Sequence, residues 1–103
     1  MIVLVVEIET TEVAITGLTD AIVTMQEASR AEEGCHDYTF CVALGDSSKL
    51  RVNECWENEE ALKRHFATPH MAAFNEAVGA AGPLKTRIAC YDATEVPFPI
   101  QRG

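Results

Sequence analysis

At 103 residues, 48% hydrophobic and 23% charged, the chain has the make-up of one globular domain with no room for a second core. Its formal charge of −8 argues against nucleic acid or an anionic membrane as partner, because phosphates are recognised by basic patches. No apolar run approaches the roughly 20 residues that cross a bilayer. The opening "MIVLVVEIE" has no basic start and meets Glu7 too early for a secretory signal. Cys35, Cys41, Cys55 and Cys90 form neither a CxxC pair nor a zinc-ligand spacing, so free thiols in a reducing cytoplasm are expected.

Residues 2–9, "IVLVVEIE", read as a strand that is apolar on both faces, with Ile2, Leu4, Val6 and Ile8 on one and Val3 and Val5 on the other. Such a strand belongs to a sheet covered on both sides. From Leu18 the period changes: Leu18, Ala21, Ile22, Met25 and Ser29 fall at helical spacing, with Thr16 or Thr19 as cap and Gly17 interrupting the start. "EEG" (32–34) ends this helix, Gly34 suiting the left-handed position. A strand over 35–44, a turn at "GDSS" (45–48) and a returning strand over 50–57 follow. Asn58 caps a short helix that ends near Phe66. Thr68 and Pro69 start another, with Met71, Phe74 and Val78 as its apolar stripe. "GAAGP" (79–83) breaks it, and the last strand covers 84–93, leaving residues 94–103 as a Pro-containing tail.

The order β-α-β-β-αα-β predicts a ferredoxin-like α+β fold over residues 1–93, a four-stranded antiparallel sheet with its helices on one face. The second face needs its own cover, and a second copy of the sheet supplies it, so a homodimer is expected.

Glu54 and Trp56 share a strand face. A carboxylate beside a large apolar ring is either desolvated or hydrogen-bonded, and desolvation makes it an acid or base. His70 follows Pro69 in the first turn of its helix, where the dipole biases imidazole toward the neutral, proton-accepting form. His65 edges an apolar helical face beside Phe66. His36 alternates with Tyr38 and Phe40, an aromatic wall for a pocket or a core. No Gly-rich nucleotide fingerprint, P-loop, HExxH or GxSxG elbow is present, and His65 and His70 have no metal-ligand spacing.

"EEGCHDYTF", "NECWENEEALKRHFATPHMAAFNEAV" and "RIACYDA" resemble the antibiotic biosynthesis monooxygenase domain, nearest its bacterial quinol monooxygenase branch. The resemblance implies a dimeric α+β barrel of two facing sheets. It also implies an enzyme using neither metal nor flavin, in which an electron-rich substrate is deprotonated and itself reduces O2. Counted from Trp56, the Asn, Tyr and Arg of anthrone-oxidising relatives are here Val52, Leu62 and Glu76. The haem-binding His and Asn of haem-degrading relatives are here Glu76 and, near that position, Glu7. The quinol-type branch resembles this chain in having His65, His70 and Glu76 together, although by helical period Glu76 points away from Met71, Phe74 and Val78.

The expected function is therefore cofactor-free oxidation of a small aromatic quinol by O2. His70, His65 or His36 serves as base, Glu54 orients it, and Trp56, Tyr38, Phe40 and Phe66 line the pocket, with no metal. The alternative is a non-oxidative isomerase or small-metabolite-binding protein on the same dimeric scaffold.

Overall fold

The computed structural model describes residues 1–82 and 84–100. It runs β1 (Ile2–Glu9), α1 (Glu12–Arg30), β2 (Cys35–Ala43), β3 (Asp46–Trp56), α2 (Glu59–Phe66), α3 (Pro69–Ala80) and β4 (Lys85–Asp92). The strands form one antiparallel sheet in the order β2-β3-β1-β4, the ferredoxin-like arrangement expected from the chain. Pro83 and residues 101–103, parts of the expected helix break and tail, lie outside the described residues.

Alternation decides which way each strand faces. Leu4 and Val6 of β1, Leu50, Val52, Glu54 and Trp56 of β3, and Tyr38 of β2 are buried toward the helices. Val3 and Val5 turn to the opposite side, next to Cys55 and Asn53 of β3 and Tyr91 and Ala89 of β4. Two buried clusters form between sheet and helices. One gathers Leu4, Val6, Met25, Tyr38, Val52, Trp56 and Ala61. The other gathers Ile15, Leu18, Ile22 and Leu50. Each large aliphatic side chain so buried stabilises the fold by about 1.5–3 kcal/mol before entropy is charged against it.

Both short helices begin where expected: Asn58 accepts from the Ala61 N–H at 2.9 Å, and Thr68 accepts from the Met71 N–H at 3.3 Å with Pro69 opening α3. The first helix differs from its expected start. Thr11 caps it, accepting from the Ala14 N–H at 3.1 Å, while Thr16 and Thr19 bond back to the carbonyls of Glu12 and Ile15. Gly17 then sits within the helix facing open space, where it costs about 1 kcal/mol against alanine without ending the helix. The turn after β2 is also tighter than the expected 45–48. Asp46 already belongs to β3, and Gly45 takes the left-handed conformation at φ 81°.

Gly34 joins α1 to β2 at φ 84°, and a Cβ there would lie 2.7 Å from the Ala61 side chain. Backbone strain and overlap therefore add at this position. Gly34→Ala should lower stability by about 1–3 kcal/mol in urea titration. Gly45→Ala, left-handed but open to solvent, should cost only the conformational part. Equal losses at the two sites would show that α2 does not press on Gly34.

Candidate functional site

The helices cover the sheet unevenly. α1 packs on β2 and β3 and α2 on β3, whereas Ile88 of β4 is 61% exposed. The result is a cavity of about 260 Å³ between the sheet and helices α1 and α3. Leu4, Val6 and Ile8 of β1 and Leu50, Val52 and Glu54 of β3 form its floor, and Ile22, Met71, Phe74 and Val78 form its roof. Tyr38, Phe40 and Phe66 complete an aromatic end. Among the described residues, Glu54 and Tyr38 are the only titratable side chains that line it.

Glu54 is 7% exposed and lies between Leu4 on one neighbouring strand and Tyr38 on the other. Trp56, fully buried, donates its indole N–H to Glu54 Oε1 at 3.0 Å. Glu54 Oε2 accepts no hydrogen bond among the described residues. Burial raises the carboxyl's pKa. The indole bond and nearby His65 pull it down, Glu32 pushes it up, and the outcome lies above the ordinary carboxylate range. Burial, with a further push from the Glu54 charge, also raises Tyr38 well above the usual phenol value, so it remains a neutral O–H.

Behind Trp56 lies a second polar group that chain spacing does not reveal. Glu32, just after α1, accepts from His65 Nδ1 at 2.6 Å and from His70 Nε2 at 2.8 Å through the same oxygen, Oε2. His65 is 1% exposed, with its ring 4.7 Å from that of Trp56 and 5.3 Å from that of Tyr38. The three ligand-type atoms lie within 4.8 Å of one another. The two contacts to Glu32 are nonetheless hydrogen-bond distances around one shared acceptor, so a metal bound at about 2.0–2.2 Å would have to replace them. The cluster ties together the α1–β2 connection, α2 and α3.

Of the pocket residues expected from sequence, Tyr38, Phe40, Phe66 and Glu54 line the cavity. Trp56 does not; it lies behind the wall, where full burial and its bond to Glu54 keep it from the open space. His65 also stands behind that wall. His70 borders a shallow outer groove with Met25 and Ala73. His36 is exposed, because a bulge between Cys35 and Asp37 breaks the alternation that would have aligned it with Tyr38. Glu32 went unrecognised because its partners lie 33 and 38 positions away. Its place at the head of "EEGCHDYTF" was the available signal.

Residues 1–77 match the antibiotic biosynthesis monooxygenase family, and the chain belongs to that family. The probable quinol monooxygenase YgiN of Escherichia coli is 42% identical over 55 residues, 46% of this chain and 53% of that protein. The match thus spans about half the length of the curated relative. A Deinococcus radiodurans structure bearing the same family description superposes with a TM-score of 0.84 at 23% identity, over 98% of this chain and 100% of the other, and shares the fold. PA3566 from Pseudomonas aeruginosa reaches a TM-score of 0.74 at 26% identity, over 89% of this chain and 94% of the other.

Glu32→Ala leaves the buried His65 Nδ1–H without its acceptor, which should cost about 1–3 kcal/mol in a denaturant titration. Glu33→Ala, an exposed neighbour, serves as control and should change stability by less than about 0.5 kcal/mol. Similar midpoints for both variants would contradict a holding role for Glu32.

Proposed function

We propose that the chain is a cofactor-free oxidase or monooxygenase of small aromatic quinols, with Glu54, rather than His70, His65 or His36, taking the proton. The observation that carries this reading is a desolvated carboxylate on the wall of an apolar, aromatic-ended cavity. A space of about 260 Å³ suits one or two rings, since an apolar cavity of about 150 Å³ holds benzene. A phenolic hydroxyl ionises near pH 10. Raising the carboxyl's proton affinity narrows that gap and makes Glu54 a better acceptor than a solvated glutamate.

Glu54 Oε2 accepts the hydroxyl proton, and the quinolate, flanked by the Tyr38 side chain, supplies the electrons that reduce O2, two in the oxidase outcome and four in the monooxygenase outcome. In the oxidase outcome, quinol and O2 give quinone and hydrogen peroxide. In the monooxygenase outcome, one oxygen replaces a ring hydrogen, and hydroxyquinone and water form. An enolising isomerase would use the same base, but a sugar-like metabolite needs several converging donors. Apart from Glu54 and Tyr38, the polar side chains that interrupt the apolar wall among the described residues are Thr10, Asn75 and Thr86.

The acting species is proposed to be a homodimer with sheet facing sheet. Val3 and Val5 lie on the face that no helix covers, beside Ala89 and Tyr91, while Arg51 and Arg87 pair with Glu7 at 2.8 and 3.9 Å toward its edge. A cytoplasmic location belongs to the same proposal and is supported by four unpaired cysteines; burial pushes the Cys35 thiol up to about 11, which keeps it unreactive.

Oxygen uptake with a panel of quinols tests the chemistry. Glu54→Gln keeps an acceptor for the indole N–H and should cut turnover by about 10²–10⁴-fold. The parent rate should fall as pH drops through a midpoint above the ordinary glutamate value, because the ionised form is the base. Trp56→Phe removes a hydrogen bond that lowers the Glu54 pKa and should move that limb to higher pH. A raised folded-state pKa contributes stability below the unfolded value that is lost as pH rises through the folded one. At pH 7, Glu54→Gln should therefore melt no lower than the parent. Chelator-treated protein should retain its rate, since the substrate provides the electrons. Full activity in Glu54→Gln would defeat the assignment.

Light scattering at micromolar concentration tests the assembly, with a dimer expected whose interface buries more than roughly 2,000 Å² in total. A monodisperse monomer would contradict it.

A further inference from the structure

The cavity is longer than a quinol ring, and its two ends differ in chemistry. The register of β1 gives its axis: Leu4 lies opposite Glu54, and Ile8 lies opposite Leu50 and Thr86. Those levels are about 13 Å apart at about 3.3 Å per residue, and Thr10 lies further along the same line. Helix α3 follows the same direction, with Met71 packed against the Tyr38–Trp56 cluster and Val78 against the Leu18–Leu50 cluster. The Glu54 end is aromatic, whereas Ile8, Leu18, Leu50 and Val78 make the other end aliphatic.

No charged side chain lines that aliphatic half among the described residues. A ring placed against Glu54 occupies about 150 Å³ by the benzene measure, leaving about two-fifths of the space, uncharged and mainly aliphatic, beyond it. From this the geometry points to a quinol carrying a short uncharged alkyl chain, of about four or five carbons, laid along β1 toward Thr10 and Thr86. The inference rests on the quinol reading above and adds to it the kind of substituent the ring bears.

The test uses 1,4-benzoquinols with hydrogen, propyl, pentyl, octyl or ω-carboxypentyl substituents in oxygen-uptake assays. Their redox-inert dimethyl ethers are measured for binding by calorimetry. Both kcat/KM and affinity should rise by up to about fourfold per methylene through pentyl and then level off. The ω-carboxypentyl compound should fall at least tenfold below pentyl. Val78→Phe, filling the aliphatic end from α3, should reduce the pentyl-to-unsubstituted ratio by tenfold or more. Thr86→Phe does the same from β4 if the helix variant fails to fold. A flat chain-length series, or an unchanged ratio in the folded variants, would overturn the inference. If the ethers show the chain-length dependence while no quinol is consumed, the alkyl-aromatic preference stands and the oxidative chemistry fails. If quinols are consumed with no dependence on chain length, only the chain assignment fails.

Discussion

The site depends on one balance: a carboxylate is kept in an apolar wall by a single indole N–H. Desolvation acting alone would favour leaving Glu54 neutral. The Trp56 bond returns part of the stabilisation of the charged form and holds one oxygen still. Placing Trp56 two residues along the same strand face makes that bond local, so it forms wherever β3 forms. Because the indole itself is fully buried, it keeps water from reaching the carboxylate from behind. The other oxygen is thereby left without a hydrogen-bond donor among the described residues, on a side chain that lines the cavity.

The helices must lie at a fixed height above that strand for the cavity to exist, and Glu32 supplies the constraint. One carboxylate oxygen holds histidines from two successive helices, and His65 in turn rests on the Trp56 ring. Gly34 lets the chain turn from α1 into β2 close against α2, which brings Glu32 within reach. The histidines thus act structurally and electrostatically through other residues. His65 lowers the proton affinity of Glu54 while Glu32 raises it, so the cluster tunes the carboxylate from behind the wall.

Much of the fold was legible in local chemistry. The two-sided apolar alternation of residues 2–9, the Asn58 cap and the Thr68–Pro69 start each stand in the structure where the sequence placed them. The start of α1 was not, because two threonines read as cap signals and a glycine as an interruption, although a helix tolerates all three in its interior. The site was legible only in part. Glu54, Tyr38 and Phe40 followed from strand alternation and Phe66 from the apolar edge of the short helix, and all four reach the cavity. His36 did not follow, since a one-residue bulge leaves no mark in the pattern of apolar residues. Glu32 could not be ranked by spacing, because its role arises from contacts across more than thirty positions. Trp56 was the reverse case: its importance was legible, but not the side of the wall on which it stands.

The central claim is that Glu54 is a desolvated carboxylate with raised proton affinity, held by Trp56 at the cavity wall. The most direct test is the pH titration of its side-chain carboxyl carbon by ¹³C NMR, assigned by comparison with Glu54→Gln. The midpoint should lie clearly above the glutamate reference of about 4.3, and rise further in Trp56→Phe. A midpoint at or below that reference in the folded parent protein would contradict it.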